Sequence, residues 1–135
     1  MTTPAQIVAA KRPGNCVVGW KLDPTCRAEL LADKRPRYPQ VVADHVTLAA
    51  RVASDTPLPE AAAARAIGHA DDGSGVEALV VEIAGTTTRP GGGTYHLTWS
   101  LAPGRKPVES NDVIARHGWV ALPAPLPLTL TPARF

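Results

Sequence analysis

DHVTLAARV, Asp44–Val52, alternates apolar and polar side chains as a half-buried strand does, and it sets a histidine two residues before a threonine. Fifty-one residues beyond His45 the chain writes nearly the same phrase again, within TYHLTWSL, Thr94–Leu101. In an extended strand residues i and i+2 share a face, so His45 and Thr47 point one way while Val46 and Leu48 point the other. His96 and Thr98 are set against Leu97 and Trp99 in the same manner. Each phrase therefore offers an apolar face to a core and presents one imidazole and one hydroxyl. Two imidazoles and two hydroxyls converge if the strands are neighbours.

The flanking segments read as a small α+β domain. CVVGWKLD, Cys16–Asp23, is the first strand. DPTCRAELLADK follows as a helix of about two to three turns, with Asp23 able to cap it, Pro24 suited to its first position, and Leu30 and Leu31 facing inward. RPRYP then breaks the pattern. Val41–Val52 is a strand with a bend or bulge near Asp44, because Val42 and Asp44 are offset by one from the alternation that follows. AAAARAIGHA is compatible with helix or strand. Strand is favoured, because DDGSG at Asp71–Gly75 is hairpin-turn chemistry and the valine-rich VEALVVEIA behind it alternates.

GTTTRPGGG, Gly85–Gly93, is a loop whose consecutive glycines allow unusual backbone shapes or close approach to a ligand. ESNDVIARHGW is a short helix that Ser110 or Asn111 can cap and Gly118 ends. The proline-rich tail leaves at best an edge strand at Leu128–Leu130. About six strands and two short helices in mixed order predict an α+β fold with a largely antiparallel sheet. Residues 1–15 read as a flexible arm on which Ile7 and Val8 could pack, and residues 16–135 as one domain.

The composition narrows the function. At 135 residues, with 44% hydrophobic and 19% charged, the chain is large enough to bury a core without disulfide or metal support. A net charge of +2 is too small for a surface that grips duplex DNA through many phosphates, although it suits a small phosphorylated ligand. No apolar run is long enough to cross a bilayer and the opening residues lack a secretory pattern, so the expected address is the cytoplasm. Cys16 and Cys26 have no zinc-type spacing and read as reduced thiols.

Paired imidazoles suit phosphodiester cleavage: one takes a proton from the attacking oxygen and the other gives one to the leaving oxygen. Threonine hydroxyls can donate to non-bridging phosphate oxygens as charge builds there. HVTL and HLTW resemble the paired H-x-T/S-x motifs of the 2H phosphoesterase superfamily. GWKLDP, GTYHLTWSL and ESNDVIA further resemble the compact "Swiss Army Knife" 2H domains found with RNA-repair proteins and in the cyclic phosphodiesterase part of fungal tRNA ligases. The resemblance runs from about Cys16 to Trp119, and its specific part is the eight motif residues.

It implies a pseudo-twofold cleft and metal-independent, cofactor-free hydrolysis of a cyclic phosphodiester, such as a 2′,3′-cyclic phosphate on a nucleotide or an RNA end. It assigns His45 and His96 as the acid/base pair and Thr47 and Thr98 as phosphate holders, without saying which histidine is which. RNA-repair proteins would be the expected partners. Many members have fuller lobes and a longer interval between motifs, so the short interval here implies a more open cleft. A binding module that holds a phosphorylated nucleotide or RNA end without turnover is the alternative. Arg89, Lys21, Arg37 and Tyr38 are further candidates for substrate contact. His69 and His117 read as structural, Tyr95, Trp20, Trp99 and Trp119 as core, and the helix start at Ser110–Asn111 as a possible second anion site.

Overall fold

The computed structural model describes residues 3–135. Over these residues the chain forms α1 (Pro4–Ala9), β1 (Pro13–Leu22), α2 (Pro24–Asp33), β2 (Gln40–Val41), β3 (His45–Val52), β4 (Ala64–Asp71), β5 (Val76–Ile83), β6 (His96–Leu101), α3 (Glu109–His117), β7 (Val120–Leu128) and β8 (Leu130–Arg134). Its strands make one antiparallel sheet in the order β7-β4-β5-β6-β3-β1-β8, with β2 also on β6. The fold is α+β with a mostly antiparallel sheet, as the alternation predicts. β7 and β8 lie at opposite ends of this order, yet only Thr129 separates them in the chain. The sheet must therefore curl until its two edges are one residue apart.

One face of the curl forms the main core. Val46 and Leu48 of β3, Leu79 and Val81 of β5, and Leu97 and Trp99 of β6 meet there with Trp20, Tyr95 and Leu30 of α2. Trp20 packs edge-on against Tyr95, with ring centroids 5.9 Å apart. Trp20 also donates to the Glu60 carbonyl and Trp99 to the Lys34 carbonyl, so both indoles are buried with their N–H satisfied. The other face carries α3, whose Val113 and Ile114 pack on Val76, Ala78 and Val80. Trp119, expected in the core, instead lies 39% exposed against Gly68, where a Cβ would come within 2.2 Å of the indole.

Two segments differ from their sequence reading. Part of the expected arm is helical: Thr3 caps α1, Gln6 returns a bond to the Thr3 N–H, and Pro4 takes the first turn. Ile7 from this helix is 1% exposed in the main core. The tail is strand over most of its length, because Pro123, Pro125 and Pro127 alternate along β7, an edge strand. On an edge strand the donor-free nitrogen of a proline can turn to the outer side, where no ladder bond is needed, and Pro123 and Pro125 fall where the pairing with β4 shifts register, between Ala121 and Leu126. Donor-free positions on that outer side also blunt the edge against pairing with another chain. No helix among the described residues is long and apolar enough to cross a membrane.

If α1 is an integral part of the core, Ile7→Ala lowers stability by about 2–5 kcal/mol. Denaturant unfolding checks this, and a frayed arm would leave the midpoint unchanged.

Candidate functional site

The two histidine strands are neighbours, and Val46 pairs with Leu97. These are the second residues of their phrases, so the antiparallel pairing sets Thr47 alongside His96 and His45 alongside Thr98. Val46 and Leu97 are both fully buried in the main core, which turns the four polar residues to the opposite face. His45, Thr47, His96 and Thr98 there line one groove of about 670 Å³.

A bulge shapes its floor. Between the pairs Val41–Ser100 and Val46–Leu97 the β2–β3 side has five steps and β6 only three, so two residues are extra. The kink sits at Ala43, whose φ of 43° is left-handed for a non-glycine residue. Arg27 of α2 holds it by donating to the Ala43 and Val42 carbonyls. Beyond Val46 the strand leans on β1 instead, where Gly19 opposes Thr47. A Cβ at Gly19 would lie 2.2 Å from the Val46 carbonyl oxygen, a contact that backbone cannot relieve.

The bulge brings Asp44 beside His45, although strict alternation would have sent the two side chains to opposite faces. Asp44 Oδ2 accepts from His45 Nδ1 at 2.9 Å and from Lys21 Nζ at 2.6 Å. Partial burial pushes the Asp44 carboxyl upward, but the bonds from Lys21 and His45 outweigh it and hold its pKa below the ordinary value. Asp44 thus fixes the His45 ring with Nδ1–H on the carboxylate and leaves Nε2 for the groove. Phe135 completes the support, its ring 4.5 Å from that of His45. Backbone bonds to Val17 in both directions hold Phe135 there.

His96 has a different setting. Its Nδ1 lies 2.9 Å from the Thr94 carbonyl, which can only accept, so Nδ1 carries the proton and Nε2 a lone pair. Burial drives its pKa down; the Thr94 carbonyl opposes this only in part, and the charges of Arg89 and His45 add to it. His96 is therefore neutral at pH 7. Thr98 Oγ1 lies 2.8 Å from Ser110 Oγ and 3.3 Å from the Pro107 carbonyl. Ser110, expected as a helix cap, is instead fully buried against Thr98, and the cap position of α3 falls on Val108, which offers no side-chain bond. Thr98 donates to the Pro107 carbonyl over the longer distance, and with Ser110 donating to Thr98 this threonine proton is the one a bound anion would draw away. Thr47 has no hydrogen-bonded side-chain partner among the described residues.

The groove wall is cationic. Arg89 is half-buried on the glycine-rich loop, where its Nε donates to the Gly92 carbonyl and its Nη2 to Asn111 Oδ1 at 3.0 Å. Asn111 is therefore a clamp for Arg89, while its amide nitrogen donates to the Val108 carbonyl. Lys11 and Arg51 line the same groove, and no Asp or Glu does.

Three other candidates lie elsewhere. Lys21 acts on the site through Asp44, with its ammonium 4.8 Å from the Phe135 ring. Arg37 and Tyr38 belong to a separate polar cluster: Arg37 pairs with Asp71 at 2.9 Å, and Tyr38 donates to the same carboxylate at 2.7 Å. Glu77, 4% exposed, anchors that cluster by accepting from Ser100, from His69 and from the Arg37 N–H. His69 is structural in this role, and His117 sits exposed in the last turn of α3. Asp44, Phe135 and the cations Lys11 and Arg51 are the site residues the sequence reading missed, while Ser110, named there as a cap or anion site, joins the groove through Thr98 instead. The Asp-His adjacency at 44–45 was the one visible signal, hidden by the alternation that the bulge breaks.

The settings of the histidines fix a titration. Because the native state favours neutral His96, its NMR titration midpoint falls below the ordinary ~6.5. The native protein then binds fewer protons than the unfolded chain between the two pKa values, so stability rises with pH across that window and is lost as pH falls through it. Arg89→Met removes one depressing charge and moves the His96 midpoint upward.

Compared with known proteins, the chain matches no family model, no curated protein and no solved structure, so its functional reading rests on the residues of this groove.

Proposed function

We propose that the groove hydrolyses a cyclic phosphodiester, a 2′,3′-cyclic phosphate of a nucleotide or RNA end, by acid/base catalysis between His45 and His96. The supporting observation is the crosswise set of two imidazoles and two threonines around the Val46–Leu97 bridge, on one wall of a groove with no acidic lining. This arrangement supports the reading of a 2H-type cleft that the motif resemblance suggests.

The unequal settings of the imidazoles divide their roles. His96, buried and neutral with Nε2 open, is the base that takes a proton from water. The water oxygen bonds to phosphorus, the bond from phosphorus to one ribose oxygen breaks, and that oxygen takes the proton from Nε2 of His45. Asp44 orients His45 and complements the charge that the ring carries as a donor. Thr47 and Thr98 donate to the non-bridging oxygens, with Ser110 behind Thr98. The product is an open phosphomonoester. Turnover leaves His96 with one proton more and His45 with one fewer, and the starting states return when His96 gives a proton to solvent and His45 takes one from it.

Hydrolysis of 2′,3′-cyclic nucleotides and a cyclic-phosphate-ended RNA, in EDTA, tests this. Each of His45→Ala and His96→Ala is expected to lower kcat/KM by about 10²–10⁴. Ligand binding without product over the whole panel would replace hydrolysis by a binding role.

A further inference from the structure

We infer that the groove carries a second anion site, centred on Arg89, that reads a phosphate on the 5′ side of the nucleotide whose cyclic phosphate sits between the histidines. This rests on the proposed function, since it places a second group on the same ligand. The argument is one of charge. A cyclic phosphodiester carries a single negative charge, and the Thr and His side chains already address it. The same groove is lined by three further cations, Arg89, Lys11 and Arg51, and by no Asp or Glu.

None of the three cations in the groove lining is paired with a carboxylate among the described residues. Arg12, Lys21, Arg37, Arg65 and Arg105 each pair with a carboxylate; of the cations without such a partner among the described residues, Lys11, Arg51 and Arg89 are the ones that line the groove. Arg89 is the most costly of them to leave so, because burying a guanidinium without a counter-charge opposes folding. Burial accordingly lowers its pKa.

Arg89 is also prepositioned. Gly92 and Asn111 take its Nε and one terminal nitrogen, which fixes the plane of the guanidinium and leaves the other terminal nitrogen without a hydrogen-bond partner among the described residues. A guanidinium held on one edge, with the other edge open to a groove, is the geometry for recognising a phosphate. The loop that carries it is itself pinned. Gly91 has a φ of 88° and lies so near Val8 of α1 that a Cβ there would come within 2.9 Å of the valine methyl. Val8 of α1 and Lys11, two residues beyond that helix, therefore line the groove beside this loop. The groove's volume of about 670 Å³ falls within the range that buries a whole nucleotide-sized ligand.

The experiment compares adenosine 2′,3′-cyclic phosphate with its 5′-phosphorylated form and with the dinucleotide ApA 2′,3′-cyclic phosphate, using the full chain. The 5′-phosphate is expected to lower KM at least about tenfold, and Arg89→Met to abolish most of that advantage. Lys11→Gln, an exposed position whose replacement leaves the loop intact, should reduce the advantage in part. A gain for the dinucleotide as large as for the 5′-monophosphate identifies an RNA end as the source of the second phosphate; a gain for the 5′-monophosphate alone identifies a small bisphosphorylated nucleotide. Equal KM values in the wild-type protein, or an advantage unchanged in both variants, overturns the inference.

If no compound is turned over, hydrolysis fails as a reading, and calorimetry decides the second site by itself. Adenosine 3′,5′-bisphosphate binding at least about tenfold tighter than adenosine 3′-monophosphate, with loss of the difference in Arg89→Met, upholds the site. Equal binding of the two ends it.

Discussion

The bridge between Val46 and Leu97 is the contact on which this groove depends, because it is the one backbone pairing that joins β3 to β6. On one side of it the sheet runs β6-β5-β4-β7, on the other β3-β1-β8, and each half brings one histidine phrase. Seating both apolar residues in a common core forces the four polar neighbours onto one surface. The bulge before the bridge and the close approach of Gly19 behind it leave β3 little freedom to slide, and a slip of one residue would turn every one of these side chains over.

Equal sequence does not give equal chemistry here. His45 and His96 stand in nearly identical phrases, yet one imidazole bonds a carboxylate at the rim and the other a main-chain carbonyl in the interior. The difference comes from what precedes each phrase. Before His45 the chain bulges and brings Asp44 round; before His96 the glycine-rich loop folds back so that Thr94 presents its carbonyl. Two similar strands are thereby given an unlike protonation chemistry, which is what a donor and an acceptor of protons need.

Much of the fold could be read directly, and the exceptions have physical causes. Alternation revealed β3 and β6 because their apolar residues fill one face each, and the DDGSG turn decided in favour of β4 and β5. α1 was legible in principle: Thr3 and Gln6 around Pro4 make a capping box, but a helix of six residues has too little periodicity to stand out. β7 was underread because three prolines argue against a central strand, and its edge position becomes evident only from the sheet order. Ser110 was taken for a cap from its position, whereas its role depends on Thr98, twelve residues away. Arg37 and Tyr38 looked like rim residues, yet Asp71 and Glu77 claim them, and no local pattern announces a partner more than thirty residues distant.

The joint at Thr129 has a kinetic meaning. β8 closes the sheet on β1, so Arg134 pairs with Val18 across more than a hundred residues, while β7 on the other side of the joint pairs with β4. Such contacts reward the chain only after long loops have been closed, which makes them slow to form. Phe135, which braces the His45 ring, is delivered by this closure. Competence of the groove is thus tied to a late folding event: a chain that has paired its two histidine strands but not yet stitched its edges has the reactive groups in place without the brace that orients one of them.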